Sequence, residues 1–593
     1  MTRSPQPITQ LLKRLWGHIS PRRRGHFAIL LVLMVLTSFA EILSIGVVLP
    51  FLAILTDPAR VFAHPSAQSF VQVLGLTEPK QLLFPLAIGF GLAALIAGAM
   101  RLLLLWASTR LAYAAGADIS ISIYRRTLYQ PYAVHVSRNS SEVIDGISGK
   151  SGAAIYLINM TLNLIGASVM LVAILVALLS VDPVIALAAF GGFGLIYAFI
   201  IKLTSNRLLI NSQISAREST YVIKSLQEGL GGIRDVLIDG SQDTYCQIYR
   251  NADLSMRRAQ GNSSFIGASP RFGMEALGML LIAALACVLA QQVDGIAKAI
   301  PVLGALALGA QRLLPVLQQA YSSWSSILGS QASLQDTLDL LEQPLPDYAD
   351  QLAAKPLTFK QQISLQQLSF RYSQKTPWVL NKLNLTIARG SRVGFIGMTG
   401  SGKSTLLDIV MGLLQPTTGA IEIDGVPITP GNHRAWQTHI AHVPQAIFLS
   451  DSTIEENIAF GVPAHQINKE RVRQAAQQAQ IAGSIEAWPS KYQTFVGERG
   501  IRLSGGQRQR VGIARALYKQ ADVIIFDEAT SALDNKTEQA VMQAIGGLSS
   551  SLTLLIIAHR LTTLRNCTQI VELVNGSINR TGSYQDLKLQ NEI

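Results

Sequence analysis

Eight consecutive residues in the last third of the chain, Gly397-Met398-Thr399-Gly400-Ser401-Gly402-Lys403-Ser404, have the make-up of a phosphate cradle. Glycines let backbone N–H groups close around an anion, and an ammonium at Lys403 reaches its terminal phosphates. The hydroxyl of Ser404 suits Mg2+, and Thr405 follows at the same helix start. Farther along, the apolar run Val523-Ile524-Ile525-Phe526 delivers Asp527 and Glu528 at a strand end. Asp527 there can hold Mg2+, and Glu528 can take the proton of an attacking water. Leu503-Ser504-Gly505-Gly506-Gln507 stands between these motifs, and His559 comes last. Alone, an apolar run ending in Asp-Glu is an ordinary strand end, and a histidine after a strand is structural. Together and in this order they describe a site for ATP and Mg2+.

The elements that must carry these residues follow from pattern. Arg392–Ile396 reads as a strand and Lys403–Leu413 as a helix, the strand–turn–helix context a phosphate cradle needs. Short β-branched strands alternate with helices throughout this region, which implies an α/β domain around a largely parallel sheet. Pro344, Pro346 and Pro356 mark a linker ahead of it.

The first half has a different texture. The 593-residue chain is 49% hydrophobic and only 15% charged, and the deficit of charge is concentrated before the linker. Apolar runs of spanning length fall at Phe27–Leu55, Leu82–Ala107, Tyr156–Val181, Pro183–Ile201, Phe265–Gln291 and Ile296–Leu328. Six transmembrane helices are therefore expected, the third and fourth joined by the tight Asp182-Pro183 turn. The first run is too long for a cleavable leader and lacks a clear cleavage site. Basic residues gather at the N-terminus and in the Arg110–Lys150 and Lys202–Arg258 stretches, which places those stretches in the cytoplasm. The net charge of +12 fits such loops, and no nucleic-acid partner is expected. Cys246, Cys287 and Cys567 form no metal or disulfide spacing.

At this point the chain resembles a known family. From about Ile363 onward it looks like the nucleotide-binding domain of ATP-binding-cassette (ABC) transporters, and Leu503–Gln507 is identical to that family's signature. The resemblance implies that Ser504, Gly505, Gly506 and Gln507 meet ATP held by the cradle of a second copy. It implies that Gly397, Gly400, Ser401, Gly402, Lys403, Ser404 and Thr405 bind ATP, and that Gln445 joins Ser404 and Asp527 at Mg2+. Glu528, His559 and Lys403 are then the catalytic set. Tyr372 stands where the family stacks an aromatic on adenine, the alternative being a strand tyrosine in the core. Ser531–Asp534 matches a loop that crosses the dimer interface, and Thr494–Gly500 a segment that relays motion to the membrane.

The first half resembles an exporter-type membrane domain. The implied organisation is an all-α six-helix transmembrane domain at residues 1–345 and an α/β P-loop domain at 346–593. Tyr129–Ser137 and Leu230–Gly240 stand near the positions of the two coupling helices. A half-transporter of this kind works as a dimer, by default of two identical chains.

Cargo is read from charge inside the apolar runs, which is costly in lipid and usually functional. The candidates are Glu41, Arg101, Arg271, Glu275 and Arg312. Glu41 and Arg312 either face a cavity or form a buried ion pair, and residues such as Arg101 near a span end can also snorkel. Ala310–Pro315, Glu228–Gly240 and Ala40–Leu43 resemble bacterial flippases of lipid-linked oligosaccharides, which implies that Arg312 meets a lipid pyrophosphate. Asp57–Gln81 forms either a short external helix, as in those proteins, or a loop. The expectation is an ATP-driven flippase of a lipid-linked glycan in a bacterial inner membrane, with membrane lipid around it. Export of amphipathic drugs or peptides, and an ATP-gated channel or regulator, stand as alternatives.

Overall fold

The computed structural model describes residues 6–56, 59, 62, 72, 75–181, 183–290, 313–350, 355–528, 535–546, 551–558 and 564–588. They fall into two compact units. One holds Met1–Gln130 and His135–Leu345, the other Pro131–Val134 and Pro346–Ile593.

The first unit is helical. Among the described residues, four helical stretches are long and apolar enough to cross a membrane: Pro21–Ser44, Leu83–Leu128, Ser140–Ala177 and Phe190–Gly231. A further helix covers Pro270–Ala290, and residues 313–329 are helical. The longest helix, Pro183–Gly231, has 49 residues, about 70 Å at 1.5 Å each, more than twice a hydrocarbon core. The short helix Ile233–Ile238 follows the longest one, and the short helix Tyr132–Ser137 belongs partly to each unit. The span turn at Asp182 and the segment 291–312 lie outside the described residues, as does most of Asp57–Gln81.

Long-range contacts tie the ends of this unit together. The helix Ile8–His18 buries Leu11 and Leu15 in a core shared with Leu111, Leu157, Leu334 and Leu338. On its polar side the Arg14 guanidinium donates to both oxygens of Glu342 at 2.8 and 2.7 Å and to Asp339 at 3.1 Å. The hydrogen bond from Arg14 outweighs burial and holds the Glu342 carboxyl below its usual range. Such a fork is geometrically specific, which a single lysine contact is not.

The second unit contains two sheets. Strands β3 (Arg392–Ile396), β6 (Ile440–Val443), β7 (Val523–Asp527) and β8 (Thr553–Ile557), with β9 (Gln569–Val574) and β10 (Ser577–Gly582), form a six-stranded sheet ordered β10-β9-β3-β8-β7-β6. All its pairings are parallel except β9–β10. The expected parallel sheet is thus present, and beside it stands a second sheet the pattern did not separate. Strands β1 (Gln362–Phe370), β2 (Leu380–Ala388), β4 (Thr418–Ile423) and β5 (Val426–Pro427) pair antiparallel in the order β2-β1-β4-β5. Its strands alternate buried and exposed residues, as half-solvated strands do, whereas β7 and β8 are buried nearly throughout. Trp436 sits fully buried in the core facing this sheet and donates from its indole to the Val410 carbonyl at 2.7 Å.

Candidate nucleotide site

Strand β3 runs between β8 and β9, its middle residues buried, and releases the chain at Gly397. Gly397, Gly400 and Gly402 have φ of 145°, 85° and 99°, the left-handed side of conformational space. A Cβ at Gly397 would come within 2.2 Å of the Leu573 carbonyl oxygen, and one at Gly402 within 2.9 Å of that of Val379. Glycine is therefore required at both for steric as well as dihedral reasons. Gly402 opens the helix Lys403–Val410, whose first-turn N–H groups have no intrahelical partner. A helix start of this kind attracts phosphate.

Lys403 folds back over the loop, donating from Nζ to the carbonyls of Gly397 at 2.7 Å and Met398 at 3.0 Å. Burial pulls its ammonium pKa down, against the attraction of Glu528 and Asp527. The Ser401 hydroxyl is buried with no hydrogen-bond partner among the described residues, as expected of a loop built for an acceptor that the chain does not itself supply.

Strand β7 brings its acids to the same place. Asp527 accepts a hydrogen bond from the Ser404 side chain, and its carboxyl is raised chiefly by burial and then by Glu528. Glu528 adopts φ of 50° and anchors its N–H on the Ile557 carbonyl at 3.1 Å, aiming the side chain off the strand end. Gln445 donates its amide N–H to Glu528 Oε2 at 2.8 Å. Lys403, Ser404, Gln445, Asp527 and Glu528, scattered over more than a hundred positions, thus form one cluster.

Oxygen donors from Ser404, Asp527 and the Gln445 amide are the hard set that Mg2+ selects when phosphate completes its shell. Among the described residues no group of three His, Cys, Asp or Glu makes a metal cage of its own, and such a cation site needs none. Tyr372 is 56% exposed, its hydroxyl 3.1 Å from the Thr405 hydroxyl, so its ring flanks the cradle and is not a core residue.

The signature residues have a local structure of their own. Ser504 caps the helix Gly505–Lys519 and exchanges hydrogen bonds with Gln507 at 3.2 and 2.9 Å. This capping box fixes the helix start with Gly505 and Gly506 in its first turn. No hydrogen bond joins Ser504–Gln507 to the cradle among the described residues. His559 and Ser531–Asp534 lie outside the described residues, as does Arg312.

One residue escaped the sequence reading. Asp408 has its carboxyl pushed up to about 6, by burial first and then by Asp527. The signal was present: Asp408 lies four residues beyond Ser404, on the same helix face as a residue that touches Asp527. Among the charged residues of the spans, Glu41 and Arg101 pair with each other across two helices, and Arg271 pairs with Glu275 one turn on at 2.7 Å.

The ABC transporter family profile matches residues 380–531. A curated relative from Alkalilimnicola ehrlichii, described as an ATP-dependent lipid A-core flippase, is 30% identical over 401 residues, 67% of this chain and 67% of its own length. The chain belongs to the ABC exporter family. A protein of the same description from Saccharophagus degradans is 42% identical over 252 residues, 42% of this exporter and 42% of its own length. That match spans about two fifths of the relative. The solved structure of a bacterial Atm1-family ABC exporter with ATP bound has the same fold, with a TM-score of 0.77 over 96% of each chain at 24% identity.

Proposed function

We propose that this exporter is one half of an ATP-driven flippase that carries a lipid-linked glycan across a bacterial inner membrane. The observation that carries the reading is the convergence of Lys403, Ser404, Gln445, Asp527 and Glu528 in a chain that also has span-length helices. In the proposed reaction Lys403 and the cradle N–H groups hold the phosphates, while Ser404, Asp527 and Gln445 hold Mg2+, which offsets phosphate charge when bound. Glu528 orients a water and takes its proton. The water oxygen bonds to the γ-phosphorus as the bond to ADP breaks, giving ADP and phosphate. His559 contacts the γ-phosphate and Tyr372 stacks on adenine.

The capped start at Ser504, with no hydrogen bond from Ser504–Gln507 to the cradle among the described residues, supports a dimer in which each signature completes the partner's site. Residues 1–345 form the membrane domain and 346–593 the nucleotide domain, with the helices Tyr132–Ser137 and Ile233–Ile238 as coupling elements. Relatives described as lipid A-core flippases support a glycolipid cargo, and Arg312 is the proposed contact for its pyrophosphate. The test is ATPase activity in proteoliposomes titrated with a lipid-linked oligosaccharide. Stimulation that disappears in Arg312→Ala supports the reading. Stimulation that is unchanged in the variant removes the role of Arg312, and no stimulation of the wild type removes the cargo.

A further inference from the structure

The first unit contains a cavity of about 550 Å3 between helices Ser151–Val181, Pro183–Gly231 and Gln242–Ala268 and residues 313–333. That volume lies within the range of small-molecule sites, but the lining does not resemble their usual apolar walls. Nine of the twenty described lining residues are serines, Ser215, Ser264, Ser322 and Ser325 among them, joined by Asn211, Gln260 and Gln318. Among the described lining residues there is no Leu, Ile, Val, Phe or Met. Serine, glycine and alanine faces between helices normally close into tight contact, and this one stays open.

The lining indicates what would fill it. Ser325 lies on the wall with only 2% exposure, among hydroxyls and amides that suit a polar ligand. The one cation among the described lining residues is occupied. Lys150 Nζ lies 2.6 Å from Asp336 and 3.5 Å from Asp145, and Asp145 is held in turn by the Ser219 and Thr220 hydroxyls. Two carboxylates thus face one ammonium, and an anionic group gains nothing there. Tyr156 adds a half-exposed aromatic ring, its hydroxyl donating to Ser326 at 3.1 Å.

We propose that this cavity seats the uncharged sugars of the transported head group. Many neutral donors and acceptors, no unpaired cation and one aromatic ring match a polyol and mismatch a phosphate, and a described lining without large aliphatic side chains mismatches an amphipathic drug. The inference rests on the flippase reading above and deepens it, because it separates sugar recognition from pyrophosphate recognition.

The experiment uses full-length protein in proteoliposomes and two lipid diphosphates that differ only by a neutral trisaccharide. The readout is the ratio of their half-maximal concentrations for ATPase stimulation. In the wild type the sugar-bearing lipid acts at about tenfold lower concentration, the worth of one or two retained hydrogen bonds. Ser325→Leu and Ser264→Leu each fill the cavity and bring the ratio towards one, while Ser325→Ala, which leaves the space, keeps most of it. A wild-type ratio of one, or a ratio that survives both leucine variants, overturns the sugar site and leaves the flippase reading intact. If neither lipid stimulates, the flippase reading fails instead. The cavity is then judged by saturation-transfer NMR of maltotriose with the solubilised full chain: signal that is lost in Ser325→Leu supports the site, and no wild-type signal overturns it.

Discussion

Replacing Glu528 with glutamine isolates proton transfer from every other function of the site. Gln445 Nε2 donates to Glu528 Oε2 at 2.8 Å, and a glutamine oxygen accepts the same bond, so the local arrangement survives the change. What is lost is the capacity to take a proton from water. Asp527 cannot substitute, since its carboxylate is engaged by Ser404. General-base catalysis is worth about 10^2 to 10^4-fold, so turnover in Glu528→Gln should fall by that factor, about 3 to 5 kcal/mol of barrier. Nucleotide affinity should hold or tighten, because Lys403 and the cradle are untouched and one negative charge near the phosphates is gone. Phosphate release and equilibrium binding of a fluorescent ATP analogue, measured on the same preparation, read the two quantities. Turnover within a factor of about five of wild type would show that Glu528 is not the base. A parallel loss of binding would show that the substitution had disturbed the cradle.

Three further expectations follow from individual contacts. Tyr372→Ala should weaken ATP binding by about 1 to 3 kcal/mol with little change in the turnover of bound nucleotide, and equal affinity for ATP and a base-free triphosphate in the wild type would contradict stacking. The Asp408 carboxyl, raised to about 6 from its usual 3.8, costs stability once it ionises, and this cost grows as pH rises from the lower value through the upper one. Asp408→Asn should therefore stabilise the second unit at pH 7 by about 1 kcal/mol after allowance for solvent access, and be neutral at pH 4; denaturant unfolding at both pH values checks the sign. Asp424 accepts from the N–H groups of Lys360, Gln361 and Gln362 at 2.5, 2.9 and 2.8 Å, which outweighs the effect of burial and holds its carboxyl low. Asp424→Ala should lower the stability of the antiparallel sheet by about 1 to 3 kcal/mol at pH 7, with the difference shrinking as pH falls below the usual carboxylate range, measured by thermal unfolding.

What could be read from sequence was what is local in the chain. The cradle is eight contiguous residues whose glycine positions follow from backbone geometry, and β7 announces itself as a buried run ending in two acids. The capping pair Ser504 and Gln507 is equally local, three residues apart at a helix start. The antiparallel sheet was merged with the parallel one because β1, β2 and β4 are interleaved in sequence with β3 and its helix, and pairing order leaves no mark on local pattern. Contacts that join distant residues were invisible for the same reason. Arg14 meets Glu342 across 328 positions, and the serines of the cavity come from separate helices on which each looks like an ordinary polar residue. Glu41 and Arg101 were both singled out by charge in apolar runs, but only the fold makes them a pair.

The most direct test is vectorial movement of a labelled glycolipid. Full-length protein is reconstituted with a fluorescent lipid-linked oligosaccharide, and a membrane-impermeant quencher reports the fraction in the outer leaflet over time. An ATP-driven flippase changes that fraction only with ATP and Mg2+ present, in one direction, and Glu528→Gln stops the change while ATP remains bound. Redistribution without ATP, or brisk hydrolysis with no redistribution of any glycolipid, would contradict it.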